Sequence, residues 1–308
     1  MARIFGQDRF LGCLFGMAIG DAMGMPIAGL APGAFEPITG YRAKLLADGV
    51  EVGAGEFTDE SEIALCIVES ATVNNGVIDP DNIAARMRIL ARGESKRWMS
   101  EATLSAMAAS EETLDSSVPL TDDGPATPDV AARGIPIGLL HAVGRFNQAE
   151  LRADAETVVR ITHGSPAAIS SATAVAFAVQ RAARDRDHLE GLARETSGFL
   201  GSGALSEALA GSSFPRDSLE ATIVSAFQAA AGETDVEAAV LRSVNEGGAA
   251  DSRGAVAGAI RGAADGIAAI PQRLIDGHEG RIYISLAAPW FFRAAQRRGG
   301  LVINLPIE

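Results

Sequence analysis

Apolar residues recur at helical rather than alternating spacing along most of this chain. Residues 9–24 form the first expected helix, and 59–74 the second, stopped by Asn74, Asn75 and Gly76. Residues 80–92 and 98–112 continue the pattern. A polar, Pro-rich stretch, EETLDSSVPLTDDGPATPD (111–129), then reads as a long surface loop. Helical spacing resumes at 133–144, 148–161, 166–184, 187–198, 203–211, 216–231, 234–245, 252–270 and 287–298. Strand patterns are scarce, with IYISL (282–286) and LVINL (301–305) the only good ones. The expectation is an all-α fold, a single compact multi-helix bundle over 1–308 with no internal linker.

Within that pattern the glycines are regularly placed. They fall at 12, 16, 20 and 24, and again at 254, 258, 262 and 266, so each set makes a smooth stripe along one side of a helix. Glycine costs a helix about 1 kcal/mol relative to Ala. Close approach of two helix backbones would offset that cost. Charged residues at Asp21, Arg253, Arg261 and Asp265 argue against a membrane dimer motif. Both ends of the sequence are therefore expected at the centre of one bundle, bringing residues near 21–28, 58–62 and 247–252 together.

Composition narrows the picture. The 308 residues are 47% hydrophobic but only 5% aromatic, which suits closely packed helices better than a β-sandwich. A formal net charge of −13 argues against nucleic acid or an anionic membrane as partner. Cys13 and Cys66 lie in apolar runs, as reduced, buried thiols of a cytoplasmic protein would. The apolar stretch after Arg9 is flanked by Asp8, interrupted by Asp21 and followed by no tidy cleavage site. It reads as neither signal peptide nor membrane span.

Residues 57–65, FTDESEIAL, put three carboxylates and two hydroxyls immediately before an apolar run. Asp59 with Glu62 three residues on has capping-box spacing, and acids in a first turn suit the helix dipole. The same oxygens are what a hard cation such as Mg²⁺ or Mn²⁺ takes as ligands. Locally, a helix cap and a metal site both explain the segment.

Four segments, RFLGCLFGMAIGDAMGMP (9–26), FTDESEIAL, ITHGSPAA (161–168) and VNEGGAADSRGAVAGAIRGAADGIAAIP (244–271), resemble in order and spacing the ADP-ribosylglycohydrolase family. These all-α hydrolases include the activator of dinitrogenase reductase and the ADP-ribosyl-arginine and ADP-ribosyl-serine hydrolases. The resemblance covers roughly residues 8–275. It implies a bundle whose centre binds a ribose through a pair of Mg²⁺ or Mn²⁺ ions. One ion is implied at Thr58, Asp59, Glu60 and Asp251, with Glu60 standing where the family carries Asp.

The second implied ion lacks its anchors, because Ala28 and Ala249 stand where the family has Glu and Asp, leaving Asp251 and Ser252. One Mg²⁺ or Mn²⁺, or a metal-free site, is therefore the expectation. The family's glycine-rich diphosphate-contacting stretch corresponds to TPDVAAR (127–133), where Pro128 removes an amide donor and Asp129 adds an anion. The substrate-binding set that the resemblance implies is His163, Arg133, Gly247, Gly248 and Ser252. Residues 279–308 fall outside the resemblance. Trp290, Phe291 and Phe292 beside Arg293, Arg297 and Arg298 fit a helix capping the bundle, an oligomer contact or a base-stacking lid.

Three functions follow. The first is a divergent hydrolase of an N-ribosyl bond in a small nucleotide- or nucleoside-like metabolite rather than an ADP-ribosylated protein. With Ala28 in place of the family Glu, its base would be Asp59, Glu60 or Asp21. The second is a catalytically silent relative that binds a ligand or partner. The third is metal-independent lyase or transferase chemistry in the same pocket. Each expects a small-molecule ribosyl or nucleotide-like ligand and a monomer or homodimer.

Overall fold

A computed structural model describes residues 6–113, 126–215 and 218–301. Its described residues form fourteen α-helices and one two-stranded β pair. After α1 (Gln7–Gly24) come the short strands β1 (Lys44–Leu45) and β2 (Glu51–Val52), antiparallel with Lys44 opposite Val52. Then follow α2 (Asp59–Val73), α3 (Pro80–Arg92), α4 (Glu101–Thr113), α5 (Gly134–Ala142), α6 (Gln148–Arg160) and α7 (Pro166–Arg184). The chain continues with α8 (Leu192–Leu200), α9 (Ala204–Leu209), α10 (Leu219–Gly232), α11 (Val236–Val244), α12 (Ala250–Asp265), α13 (Gln272–Asp276) and α14 (Arg281–Arg298). The all-α expectation holds.

Several starts obey simple end chemistry. The side chains of Asp79, Asn147, Ser165, Ser218 and Asp235 each accept a backbone N–H of the first turn of α3, α6, α7, α10 and α11. Pro80 and Pro166 open their helices where a missing N–H costs nothing.

The two glycine stripes meet. Helices α1 and α12 run antiparallel so closely that a Cβ at Gly16 would lie 2.1 Å from the Gly258 carbonyl oxygen. A Cβ at Gly20 would lie 2.0 Å from Gly254 O, and one at Gly262 2.0 Å from Gly12 O. Helix α1 is enclosed almost completely, with Cys13, Leu14, Met17, Ile19 and Met23 fully buried. Together with residues 25–27 it is long and apolar enough to cross a membrane, yet 94% of that window is buried inside the protein. The pairing seats Gly24 against the Asp251 backbone, where an added Cβ would come within 2.3 Å of the Asp251 nitrogen. This contact draws the ends of α1 and α12 to one point.

Two expectations from pattern fail. IYISL is not a strand but the first part of α14. Five residues cannot separate the two periods, whereas Ile284, Ala288, Phe291 and Ala295 make a buried stripe at helical spacing. The capping box at Asp59 and Glu62 is also absent. The N-cap of α2 is Thr58, which makes no side-chain cap bond, and Glu62 accepts instead from Ser95 at 2.6 Å. Part of the expected 111–129 loop, residues 114–125, lies outside the described residues, as does the LVINL segment from residue 302. Residues 111–113 finish α4, and Pro128–Arg133 form a 3₁₀ turn.

Candidate functional site

The loop after α1, the start of α2 and the start of α12 border a cleft of ≈ 330 Å³. Asp59, Glu60, Asp251 and Ser252 face it, with Trp98, Asp129 and Gly248. Asp59 and Asp251, far apart in sequence, thus share one cavity. Its geometry depends on Asp21, the last acid of α1. The Asp21 carboxylate accepts the Thr58 N–H at 3.0 Å, the Ser61 N–H at 3.1 Å and the Thr58 hydroxyl at 2.7 Å. These bonds hold the first turn of α2 against α1 and use the hydroxyl that would otherwise cap it.

Glu60 is held from both sides. Ser252 donates its hydroxyl to Oε1 at 2.6 Å, and the Thr58 hydroxyl is in hydrogen-bond contact with Oε2. Thr58 has one hydroxyl hydrogen for two carboxyl groups, Asp21 and Glu60. Both contacts are satisfied only when one of those carboxyls is protonated and donates. Asp59, 3% exposed, has an Oδ2 with no hydrogen-bond partner, and Asp129 Oδ2 also lacks one, with only the Arg133 guanidinium 3.9 Å away. Asp251 accepts the Ser252 N–H at 2.9 Å.

The electrostatics follow from crowding acids out of water. Burial pushes Asp21 up to about 7, and the Glu60 charge adds to it. Burial and then Asp251 raise Glu60 to about 8. Asp251 rises to about 6 through burial and Asp21, with bonds to backbone N–H groups and Lys44 pulling the other way. Asp59 is driven well above the carboxylate range by burial, then by Glu60, Asp129, Asp21 and Asp251.

The expected residues divide into two groups. Asp59, Glu60, Asp251, Ser252 and Gly248 share the cleft. Asp21 does not face it. As a fully buried acid whose oxygens are occupied by α2, it is a positioning residue rather than a candidate base. His163 and Arg133, expected at the ligand, are enclosed as well. His163 is 3% exposed, with Nδ1 2.7 Å from Thr162 Oγ1 and Nε2 3.1 Å from Thr127 Oγ1. Burial and Arg133 lower it to about 4, so the ring is neutral at physiological pH.

Arg133 is 1% exposed. Its guanidinium donates to Thr162 and Thr103 and lies 3.9 Å from Asp129. It serves as the buried counter-charge behind the acidic wall. Gly247, outside the cleft lining, makes the turn instead. Its φ is +69°, and a Cβ there would lie 2.6 Å from Leu30 O. Gly248 bonds reciprocally with the loop after α1, through Gly29 N–H to Gly248 O at 2.8 Å and Gly248 N–H to Leu30 O at 2.7 Å.

Sequence reasoning missed Trp98, Ser100 and Lys44. Trp98 and Ser100 line the cleft from the segment before α4. Half-buried Lys44 donates Nζ to Met25 O at 2.8 Å and stands 6.0 Å from the Trp98 ring centroid. It interacts electrostatically with Asp251, as Arg253 does. No local pattern marks a lysine on a two-residue strand as part of a site whose nearest lining residues, Gly29 and Asp59, are fifteen positions away on either side.

For a hard cation, the donor chemistry fits at the first position. Thr58, Asp59, Glu60 and Asp251 offer only oxygen, and the partnerless Asp59 Oδ2 is a buried acceptor lacking a donor. Among the described residues, however, no group of three His, Cys, Asp or Glu side chains is drawn together as a ready-made cluster. The second position does not fit, since Ala28 and Ala249 line that wall of the cleft without donor side chains.

Comparison with known proteins agrees with the fold. A solved structure titled ADP-ribosylglycohydrolase-related protein complex superposes with a TM-score of 0.79 at 28% identity, covering 94% of this chain and 98% of the other. An uncharacterized protein of Archaeoglobus fulgidus is 30% identical over 94% of this chain and 98% of its own length. The ADP-ribosyl-[dinitrogen reductase] glycohydrolase of Rhodospirillum rubrum is 23% identical over 86% of this chain and 88% of its own. The family pattern of the ADP-ribosylglycohydrolases matches residues 3–300, past the limit near 275 set by the motifs and including α14. The chain belongs to the ADP-ribosylglycohydrolase family, hydrolases of ADP-ribosyl-type bonds.

Proposed function

We propose that this protein hydrolyses an N-glycosidic bond to ribose in a small nucleotide- or nucleoside-like metabolite. The observation that carries the reading is the partnerless Oδ2 of Asp59, buried in a cleft it shares with Glu60 and Asp251. A buried acceptor without a donor is costly unless it serves a ligand. Asp129 supports the smaller substrate. Its carboxylate stands at the cleft where a diphosphate-contacting loop would otherwise offer amides, and it opposes a phosphate there.

In this reading the ribose lies between α2 and the start of α12. Water bonds to the ring carbon, the C–N bond breaks, and its electron pair leaves on nitrogen, which takes up a proton. Positive charge develops on the ring as in other glycoside cleavages, and Asp251, raised only to about 6, faces it with negative charge. Asp59 Oδ2 accepts the proton from the attacking water. A divalent cation held by Thr58, Asp59, Glu60 and Asp251 would supply charge that favours the ionised carboxylates and orient the ribose hydroxyls.

Incubation with ADP-ribosyl-arginine, ADP-ribosyl-serine, NAD, mononucleotides and nucleosides, with and without Mg²⁺ or Mn²⁺, tests the proposal by ribose release. Turnover of the smaller compounds is expected. Absence of turnover on all of them would replace the proposal by the silent-relative reading, which Ala28 and Ala249 in the cleft wall favour. The double change Ala28→Glu and Ala249→Asp returns two carboxylates to that wall and should add a bound Mn²⁺ in equilibrium dialysis. Unchanged stoichiometry would count against the ligand register.

A further inference from the structure

Fixed positive charge stands at both ends of the acidic cleft. Arg133 lies behind the end formed by Asp59 and Asp129. At the other end the ammonium of Lys44 faces Asp251 electrostatically. A small hairpin delivers it. Gly49 turns the chain at φ +86°, Leu46 donates its N–H to Val50 O at 2.8 Å, and Val52 pairs with Lys44. Paired residues of antiparallel strands share a face, so the face that buries Val52 also turns Lys44 toward the protein.

The carbonyl that receives the ammonium locates it. Lys44 Nζ donates to Met25 O at 2.8 Å, and the same oxygen accepts the Ala28 N–H at 3.4 Å. Gly24, one residue earlier, packs on the backbone of Ala250 and Asp251. The charge is therefore fixed on the turn that carries Ala28 and meets the first turn of α12, beside the wall where Ala28 and Ala249 offer no donor. Burial lowers the Lys44 value and Asp251 raises it, and Lys44 in turn lowers Asp251. Arg253 also interacts with Asp251, but its guanidinium is engaged by the carbonyls of Ser243 and Gly247 at 3.3 and 2.8 Å.

We propose that the Lys44 ammonium is the built-in counter-cation at the Asp251 end of the cleft, standing where a second metal ion finds no ligands and making this a one-cation site. A fixed charge there repels a further cation and balances a carboxylate that burial would leave uncompensated. Lys44 is a positioning residue, acting through Asp251. The inference rests on the ligand register of the hydrolysis reading, but not on turnover.

Equilibrium dialysis of Mn²⁺ against the full chain, without substrate, tests this. Lys44→Gln keeps an N–H for Met25 O and removes the charge. It should bind Mn²⁺ about five- to fiftyfold more tightly than the parent. Lys44→Met, of similar length and also uncharged, should behave alike, whereas Lys44→Arg should keep the parent affinity. Added to Ala28→Glu and Ala249→Asp, Lys44→Gln should tighten the extra ion in the same way. Loss of a merely structural hydrogen bond would not strengthen metal binding. Thermal melts with chelator establish that each variant is folded. Uncharged variants that bind Mn²⁺ no more tightly than the parent, or not at all, overturn the proposal, and so does an equal gain in Lys44→Arg. Tightened binding without ribose release removes the hydrolysis reading and leaves this one. Turnover with a Mn²⁺ affinity indifferent to Lys44→Gln does the reverse.

Discussion

Asp59 keeps one carboxylate oxygen without a hydrogen-bond partner, while burial and the neighbouring carboxyls of Glu60, Asp129, Asp21 and Asp251 push it well above its ordinary value. Replacement by Asn preserves shape and removes the proton acceptor. Asp59→Asn should therefore cost about 10²–10⁴ in kcat, with the melting temperature equal to or above that of the parent, since a repelled acid has been removed. Steady-state rates and thermal melts on the same sample check it, and full activity in Asp59→Asn would remove Asp59 from the chemistry. Glu62 shows how residue type alone misleads. Its spacing from Asp59 suggested a cap, but Ser95 holds it at the side of the helix. Thr58 was drawn to Asp21 for the same reason, because a buried carboxylate takes whichever donors the fold brings nearest.

At the scale of elements, the pair α1 and α12 determines where the site can form. Interdigitated glycines leave no room for a methyl group at Gly20, where the Gly254 carbonyl carbon and oxygen would lie 2.2 and 2.0 Å away. Gly20→Ala should therefore lower stability by about 3 kcal/mol or more, because backbone cannot yield as a side chain can. Gly198→Ala in α8 is the control, with nothing within 4 Å of its added Cβ. There the substitution should be neutral or stabilising by up to about 1 kcal/mol. Urea unfolding midpoints compare the two. Equal effects would mean that the close contact does not hold α1 to α12.

Across the whole molecule, three of the acids most displaced by burial lie in the cleft or directly behind it. Asp21, Glu60 and Asp251 have ordinary values of 3.8, 4.5 and 3.8 and folded values of about 7, 8 and 6. Across that window the folded chain binds more protons than the unfolded chain. The stability these groups contribute is therefore fully present below their ordinary values and is lost as pH rises through the folded ones. Metal-free protein should melt lower at pH 8 than at pH 5.5. A divalent cation binding the ionised cluster displaces those protons, so Mn²⁺ should raise the melting temperature more at pH 8. Thermal melts at both pH values, with chelator and with Mn²⁺, read both effects. A cation shift that is larger at pH 5.5 would show that the ion binds elsewhere.

Most of the architecture was legible because helices of this length carry their own period. The boundaries of α1, α2, α3 and α7 lie within two residues of the positions where the apolar pattern starts and stops. The glycine stripes announced the central contact, since eight residues that weaken a helix need a neighbour to justify them. Spacing also drew Asp59, Glu60 and Asp251 toward one another before any coordinates did. Tertiary structure decided the directions of the side chains. It turned His163 and Arg133 into a sealed support, made Asp21 a brace, set Trp98 in the cleft wall just before α4, and brought Lys44 beside that ring. Period is a property of a segment, whereas burial and hydrogen-bond partners are properties of the assembled fold. Only the assembled fold could assign them.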